Sequence, residues 1–320
     1  MKLKMIITGL LICFFVAQSF IGSPEDFSEM LPKLSDYNIF QDRPADLVPS
    51  KEFKQYEISN TLFSDYAEKQ RLIKVPHGKF IRAVDDGLPD FPEGTILAKT
   101  FYYDNDQRDK TKGKRIIETR ILVKRNSTWN AGTYLWNDEQ AEAFLTTTSS
   151  KVNINWIDEK GSEKLISYRV PSNKECMSCH KYENDIMPIG FKLRNLNIEV
   201  TRNLVKINQL KYFRDISLFG DINPASFSTV PSWQDHSKTL EQRARAYLDI
   251  SCAHCHNQKG YCAAANLNLG YETDFAQTNI SDKKKRVLSF MKQGRMPLFG
   301  GRIVHEEGLA LIEEYIENLR

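Results

Sequence analysis

The chain has 320 residues, which is enough for one large or two ordinary domains with a substantial buried core. With 41% hydrophobic and 27% charged residues, its composition is that of a soluble globular protein. The formal net charge is only +3, from 44 basic and 41 acidic residues. The chain therefore lacks the strongly positive electrostatic field that attracts nucleic acid, which excludes that class of partner.

Residues 1–23 have the form of a secretory signal peptide. Two lysines precede an apolar run over residues 5–17, and a small-residue cleavage site follows at 17–19. The run is short for a membrane span, and Ile12 precedes Cys13 where lipoprotein cleavage needs a small residue. We therefore expect export to the periplasm, with membrane association only if this segment is uncleaved or lipidated.

The next two regions differ in pattern. Residues 24–60 are polar and punctuated by prolines, and we expect an extended lead-in with one short helix. Residues 61–175 consist of short β-type runs whose spacing predicts a sandwich-like, β-rich domain. The predicted strands cover residues 79–84, 95–103, 116–124, 133–136, 152–157 and 165–170.

The third of these strands has the clearest alternation. Ile117, Ile121 and Val123 fall on one face, which we expect to be buried. The opposite face is expected to be wet, because it carries the charged residues of the strand. These are Glu118, Arg120 and Lys124.

Two Cys-x-x-Cys-His motifs follow, at residues 176–180 and 252–256. This pattern is the signature of covalent c-type haem attachment. Residues three and four apart share a face of a helical turn, so two thiols can add to the haem vinyl groups while the adjoining imidazole reaches the iron. The sequence thus predicts two covalently bound c-type haems. The residues predicted to hold them are Cys176, Cys179, His180, Cys252, Cys255 and His256.

A structural zinc site is the competing interpretation of these cysteines, because two Cys-x-x-Cys pairs can supply four thiolates to one tetrahedral metal. A zinc ribbon does not require a histidine directly after each pair, so the repeated histidine favours haem. Within the second motif, His254 is interpreted as a spacer. Cys262, which lies outside both motifs, is interpreted as a small buried apolar side chain.

Residues 176–238, which begin with the first motif, are expected to form a helical connector. Leu204, Ile207 and Leu210 recur at about the period of a helix. No amphipathic helix introduces the first motif, so the haem there is expected to lie against the β-rich domain.

Residues 239–320 are predicted to be helical. A capping-box pattern at Thr239 and Gln242 begins a helix that runs into the second motif. A later helix stops just before Met296, and a terminal helix ends the chain. This order of helix, Cys-x-x-Cys-His, loop, Met-Pro and terminal helix resembles a class I cytochrome c domain. The resemblance implies His256 as proximal and Met296 as distal ligand of the second haem iron.

A wider resemblance covers most of residues 60–320 and rests on five short motifs besides the two Cys-x-x-Cys-His motifs. The five are Leu62-Phe63-Ser64-Asp65-Tyr66-Ala67, Phe91-Pro92-Glu93-Gly94-Thr95, Glu118-Thr119-Arg120, Tyr134-Leu135-Trp136-Asn137 and Pro188-Ile189-Gly190. In this order they resemble a family of poorly characterised bacterial dihaem c-type cytochromes. Some members are joined to sorbosone-dehydrogenase-like propellers, which implies by analogy an electron acceptor for a periplasmic dehydrogenase. This chain has no propeller-length segment, so the implied partner is a separate redox protein such as a sugar or alcohol dehydrogenase.

These expectations describe an α+β multidomain protein, with an N-terminal β-rich, sandwich-like domain followed by an all-α cytochrome c-like domain. The leading hypothesis is an exported carrier of single electrons between a periplasmic dehydrogenase and the respiratory chain. The alternative is a dihaem peroxidase-like enzyme with an open iron site at the first haem. The sixth ligand of that haem distinguishes the two, and His236, Met187 and no protein ligand stay open. A third hypothesis makes the aromatic residues of the β-rich domain a carbohydrate-binding or partner-binding surface.

Overall fold

The computed structural model describes residues 30–298, 301 and 303–319. The predicted signal peptide and Cys13 lie outside the described residues. Within these ranges, no helix has both the length and the apolar character that crossing a bilayer requires.

The fold is built on an antiparallel sheet of six strands, in which each strand pairs with the next along the chain. Such sequential pairing needs only short connections between neighbours. The strands are β1 Lys54–Gln55, β2 Glu68–Lys74, β3 Ile96–Asp104, β4 Lys114–Arg125, β5 Thr128–Trp136 and β6 Ala143–Thr146. A separate hairpin follows, formed by β7 Ser150–Ile157 and β8 Glu163–Val170.

Five of the six predicted strands are confirmed, as β3, β4, β5, β7 and β8. The run over residues 79–84 makes only isolated bridges, at Ile81 and Arg82. Sequence reasoning missed β2, because its apolar residues Leu72 and Ile73 are adjacent and do not alternate with polar ones. Both are buried, since the sheet is covered on both sides.

The expectation of one buried and one wet face for β4 is wrong. Ile121 and Val123 pack on the face covered by the lead-in, whereas Ile117 packs on the other face with the β7–β8 hairpin. The register against β3 shifts between Phe101 and Tyr102, and this β-bulge leaves Ile117 of β4 without an opposite residue and reverses its direction. Glu118, which was assigned to the wet face, is fully buried.

The lead-in forms the cover of the first face. It contains 3-10 turns at Ser35–Tyr37 and Pro44–Asp46, where one short helix was expected, and it ends in β1. The Tyr134 hydroxyl of β5 donates a hydrogen bond to the Tyr37 hydroxyl at 3.0 Å. The lead-in side chains in this core are Leu34, Tyr37, Ile39, Leu47 and Phe53.

The predicted helical connector is wrong over much of its length. After α1 (Asn173–Cys179), the chain forms two short hairpins separated by one helical turn. Asn203 and Leu204 form the two-residue turn of the second hairpin, both with positive φ, as a type I′ hairpin turn requires. The remaining elements are β9 Lys181–Tyr182, β10 Asp185–Ile186, α2 Leu193–Leu196, β11 Glu199–Arg202, β12 Val205–Asn208 and α3 Gln209–Asp215.

The C-terminal region begins as its sequence predicts. The Thr239 side chain accepts from the Gln242 amide, and Gln242 accepts from the Thr239 amide, which confirms the capping box. The helices after α3 are α4 Leu240–Leu248, α5 Phe275–Thr278, α6 Ile280–Lys292 and α7 Glu306–Glu317.

The predicted fold class is nevertheless wrong. The described part of the chain is β-rich, with 12 strands in four sheets and seven short helices, and it shows no clear all-α cytochrome domain after a β domain. The helices α4 and α7 share an apolar core that includes Tyr247 and Ile312, and α6 contributes Ile280 as its one buried residue. They also pack against earlier segments: the Phe63 ring stacks on His305 at 4.1 Å, and Asn60 accepts from the Trp233 amide at 2.8 Å.

Candidate functional site

The first Cys-x-x-Cys-His motif is a single helical turn at the end of α1. A capping box between Ser172 and Glu175 fixes the start of this helix. The His180 amide donates to the Cys176 carbonyl at 3.0 Å. The turn therefore brings the Cys176 and Cys179 thiols and the His180 ring to neighbouring positions, which is the local geometry that the spacing predicts.

The second motif continues from α4. Residues Asp249–Ala253 form a π-helical turn, a distortion that occurs often at functional sites. The His256 amide donates to the Cys252 carbonyl at 2.8 Å, and the Cys255 amide donates to the same oxygen at 3.1 Å. This motif is therefore also helical from its first cysteine to its histidine.

The two motifs meet in space. Cys179 of the first lies beside His254 and Cys255 of the second, and the two Sγ atoms and a ring nitrogen all lie within 4.8 Å of one another. His254, which the sequence suggested was a spacer, is buried at this junction, and its Nδ1 has no hydrogen-bond partner among the described residues. The three side chains form one cluster that no local pattern of the sequence predicts.

The Cys179 and Cys255 thiols lie close enough for each to change the pKa of the other. Their hydrogen bond lowers the pKa of Cys179 well below its usual value, and the neighbouring His254 lowers it further. The same bond raises the pKa of Cys255. Because the thiolate is the form that attacks electrophiles and binds metals, the cluster presents a reactive sulfur.

The His180 ring is oriented by the backbone. Its Nδ1 lies 2.7 Å from the Met187 carbonyl oxygen, which can only accept, so Nδ1 carries the proton and Nε2 keeps its lone pair. Burial lowers the pKa of His180 to about 4, so the ring is neutral. A neutral imidazole with its other nitrogen bonded to a carbonyl is the usual arrangement of a metal-binding histidine.

Met187 and His236, the two candidates for a sixth ligand at the first motif, lie in different surroundings. Met187 is tied to His180 twice, because its amide also donates to the His180 carbonyl at 2.9 Å. The Met187 backbone therefore lies beside the His180 ring, which is the candidate proximal ligand. His236 is exposed in the loop before α4, and no hydrogen bond or ion pair in the described part of the chain joins it to either motif.

Met296 is brought to the second motif. It lines a small cavity together with Cys252, Cys255 and His256. Gly294, with φ +62°, ends α6 in the left-handed conformation and turns the chain toward this cavity. Burial lowers the pKa of His256, and its buried Nδ1 has no partner among the described residues.

Met296 also lines a larger cavity of about 490 Å³, a volume typical of small-molecule sites. Arg120, Arg169 and Glu175 lie on the wall nearest the first motif. Cys262 lines the smaller cavity and is half-buried, so it lies beside the cluster instead of in the apolar core that was expected.

These residues fit a covalently attached haem at each motif. Each helical turn supplies two thiols and a neutral histidine, His180 with an oriented ring and His256 with an unpartnered ring nitrogen. A thioether lies across the cavity at the second motif. The donor set also fits a single thiophilic metal ion at the Cys179, His254 and Cys255 cluster.

Sequence reasoning missed the charged residues beneath the first motif. Lys99 and Arg120 line a cavity with Cys176 and His180, and the Thr133 hydroxyl lies 3.5 Å from the Cys176 sulfur. Charges that alternate along a strand usually mark a solvent-exposed face. The pairing of three neighbouring strands was needed to show that these charges are packed together.

Comparison with models of known protein families found no match to this chain, and neither curated proteins nor solved structures match it. Both resemblances given above rest on short motifs and stay predictions. The function is therefore argued from the residues of the site and from their geometry.

Proposed function

We propose that this protein is an exported dihaem c-type cytochrome that carries single electrons between a periplasmic dehydrogenase and the respiratory chain. The observation that supports it best is the repeated motif, each copy a helical turn that ends in a neutral, half-buried histidine. Haem c supplies reversible one-electron chemistry at its iron when bound.

The residues of the chain have separate roles in this proposal. The cysteines of each motif hold one haem covalently, and the histidine that follows provides a nitrogen ligand. Met296 provides the opposite ligand at the second motif. The residues with these roles are Cys176, Cys179 and His180 at the first site, and Cys252, Cys255, His256 and Met296 at the second.

The meeting of the motifs supports electron transfer between two centres. Cys179 and Cys255 are the second cysteines of their motifs, and their sulfur atoms lie within 4.8 Å of each other. Attachment points this close suit a protein that accepts an electron at one centre and passes it to the other.

The test is the haem content of the exported chain. Intact mass is expected to show two haem additions, and the pyridine haemochrome assay two haems per chain, because each motif attaches one. Changing Cys176 and Cys179 together to alanine should remove one haem. Cys262→Ala is the matched control, since it lies beside the same cavity but outside both motifs, and it should leave both haems in place.

The cluster of Cys179, His254 and Cys255 favours one competing function, a structural zinc site. His254→Ala separates the two, because it removes a zinc ligand but no residue that the haem proposal needs. We expect this variant to keep two haems. A protein that contains stoichiometric zinc and lacks Soret absorption would contradict the cytochrome proposal.

The 490 Å³ cavity favours a second candidate, a dihaem peroxidase-like enzyme. Its charged lining, including Arg120 and Glu175, lies close to the first motif, where substrate would have to reach an open iron position. For a carrier, we expect low-spin absorption and EPR spectra in both oxidation states and no peroxide consumption. A stable high-spin signal together with peroxide turnover would favour the enzyme.

A further inference from the structure

A row of cations crosses the sheet beneath the first motif. Arg71 of β2 lies directly opposite Lys99 of β3, and Lys99 lies directly opposite Arg120 of β4. Neighbouring strands are about 4.8 Å apart, so three positive charges stand side by side on one face. Like charges that face each other across strands destabilise a sheet, so this arrangement calls for a compensating anion.

The protein supplies one such anion. Glu118 is fully buried and pairs with Arg120 at 2.5 Å. Arg71 is 7% exposed, and its guanidinium makes no hydrogen bond or ion pair among the described residues. Lys99 places its Nζ 5.0 Å from the centre of the Phe101 ring and has no carboxylate partner in the same part of the chain. Neither Arg71 nor Lys99 is therefore bonded directly to a carboxylate of the described residues, although the more distant charges of Glu57 and Glu68 act on Arg71.

Burial and the neighbouring positive charges lower the pKa of two lysines on this face of the sheet. Burial lowers the pKa of Lys99 well below its usual value, and the charge of Arg71 lowers it further. Burial, together with Arg71, also lowers the pKa of Lys69 to about 7. Burying an unpaired cation is unfavourable, so a row of this kind is explained physically by an anionic ligand that the chain itself does not contain.

The row faces the first motif. Lys99 and Arg120 line the cavity that also contains Cys176 and His180. Tyr56 lines the same cavity, and burial raises its pKa to about 12 while the charge of Arg71 offsets part of that rise. Lys99 therefore lies beside the thiol and imidazole groups of the first motif, and Arg71 is the next cation of the row.

We propose that Arg71 and Lys99 form a carboxylate site that binds the propionate groups of the haem attached at the first motif, an assignment that rests on the proposed function. The two carboxylates of a haem match the two cations that Glu118 leaves unpaired. A guanidinium binds a carboxylate through two parallel hydrogen bonds, which suits Arg71 to this role.

The test compares Arg71→Gln in two backgrounds, the dihaem protein and the chain whose Cys176 and Cys179 are alanine. In the dihaem protein, the variant should lower the melting temperature and the midpoint potential of the first haem, because it removes a positive charge that favours the reduced iron. Without the first haem, it should raise the melting temperature, because it removes an unpaired buried cation. A purely structural arginine would not produce this reversal of sign.

Lys74→Gln is the matched control. Lys74 lies on the same strand but on the opposite face of the sheet, where it pairs with Glu52 at 2.7 Å. It should leave the potential unchanged, and its effect on melting temperature should be the same in both backgrounds. If Arg71→Gln does not fold, Arg71→Lys and Lys99→Gln replace it. The first should keep the potential and the second should lower it.

The results distinguish a failure of the proposed function from a failure of the propionate site. A chain without covalent haem refutes the proposed function itself. A dihaem chain in which Arg71→Gln shifts stability in the same direction in both backgrounds, with no change of potential, refutes the propionate site alone. A free dicarboxylate is the other source of the same chemistry. Succinate should leave the melting temperature of the dihaem protein unchanged, and stabilisation of the wild type but not of Arg71→Gln would overturn the assignment to propionate.

Discussion

Replacing Glu118 with glutamine is expected to lower the free energy of unfolding by about 3 kcal/mol, because removing one partner of a buried ion pair leaves the other charge uncompensated. Glu118 accepts hydrogen bonds from the Arg120 guanidinium at 2.5 Å and from the Tyr168 hydroxyl at 2.6 Å. Arg120 is the one member of the cation row that Glu118 pairs with. Urea denaturation should show a lower midpoint with an unchanged slope.

Asp138→Asn is the control for this prediction. Asp138 pairs with Arg115, which lies on the same strand as Glu118, but the Asp138 side chain is 92% exposed. Its loss should therefore change the free energy of unfolding by less than about 0.5 kcal/mol. Adding Arg120→Gln to Glu118→Gln should recover part of the loss, because both partners are then neutral. Equal effects of Asp138→Asn and Glu118→Gln would show that the buried pair has no special role.

Replacing Met296 with histidine is expected to lower the potential of the second haem and to leave that of the first nearly unchanged. Met296 lines the cavity that contains Cys252, Cys255 and His256, and a thioether ligand favours the ferrous state. The choice of axial ligand contributes to a range of roughly 0.8 V across haem proteins, so the effect should be large. Spectroelectrochemical titration measures it, and the weak long-wavelength band of Met-ligated ferric haem should disappear.

Met291→His is the matched control, because Met291 lies on α6 and packs against the core of the C-terminal helices. It should change neither the band nor the potential. If both persist in Met296→His, another residue holds the sixth position and the assignment of Met296 is wrong.

Features that depend on residues close together in the chain could be predicted from the amino-acid sequence. Five of the six strands predicted from short β-type runs were confirmed, and the capping box at Thr239 was predicted from two residues of one helical turn. The spacing of each Cys-x-x-Cys-His motif likewise predicts a helical turn, which the structure contains. In all these cases the interacting groups are a few residues apart, so the backbone period decides which side chains meet.

The fold class and the composition of the site depend on contacts between distant segments and could not be predicted in this way. The C-terminal helices were predicted, but their packing against Phe63 and Asn60 depends on contacts between distant segments, and the separate all-α domain is absent from the described structure. The meeting of Cys179 with His254 and Cys255 has the same origin. Alternation placed Glu118 on a wet face, because a pattern of charges cannot show what covers them. The pairing of β2, β3 and β4 decides that Arg71, Lys99 and Arg120 lie in one row beneath the first motif. Burial makes these charges part of the site, although their sequence pattern is that of a surface.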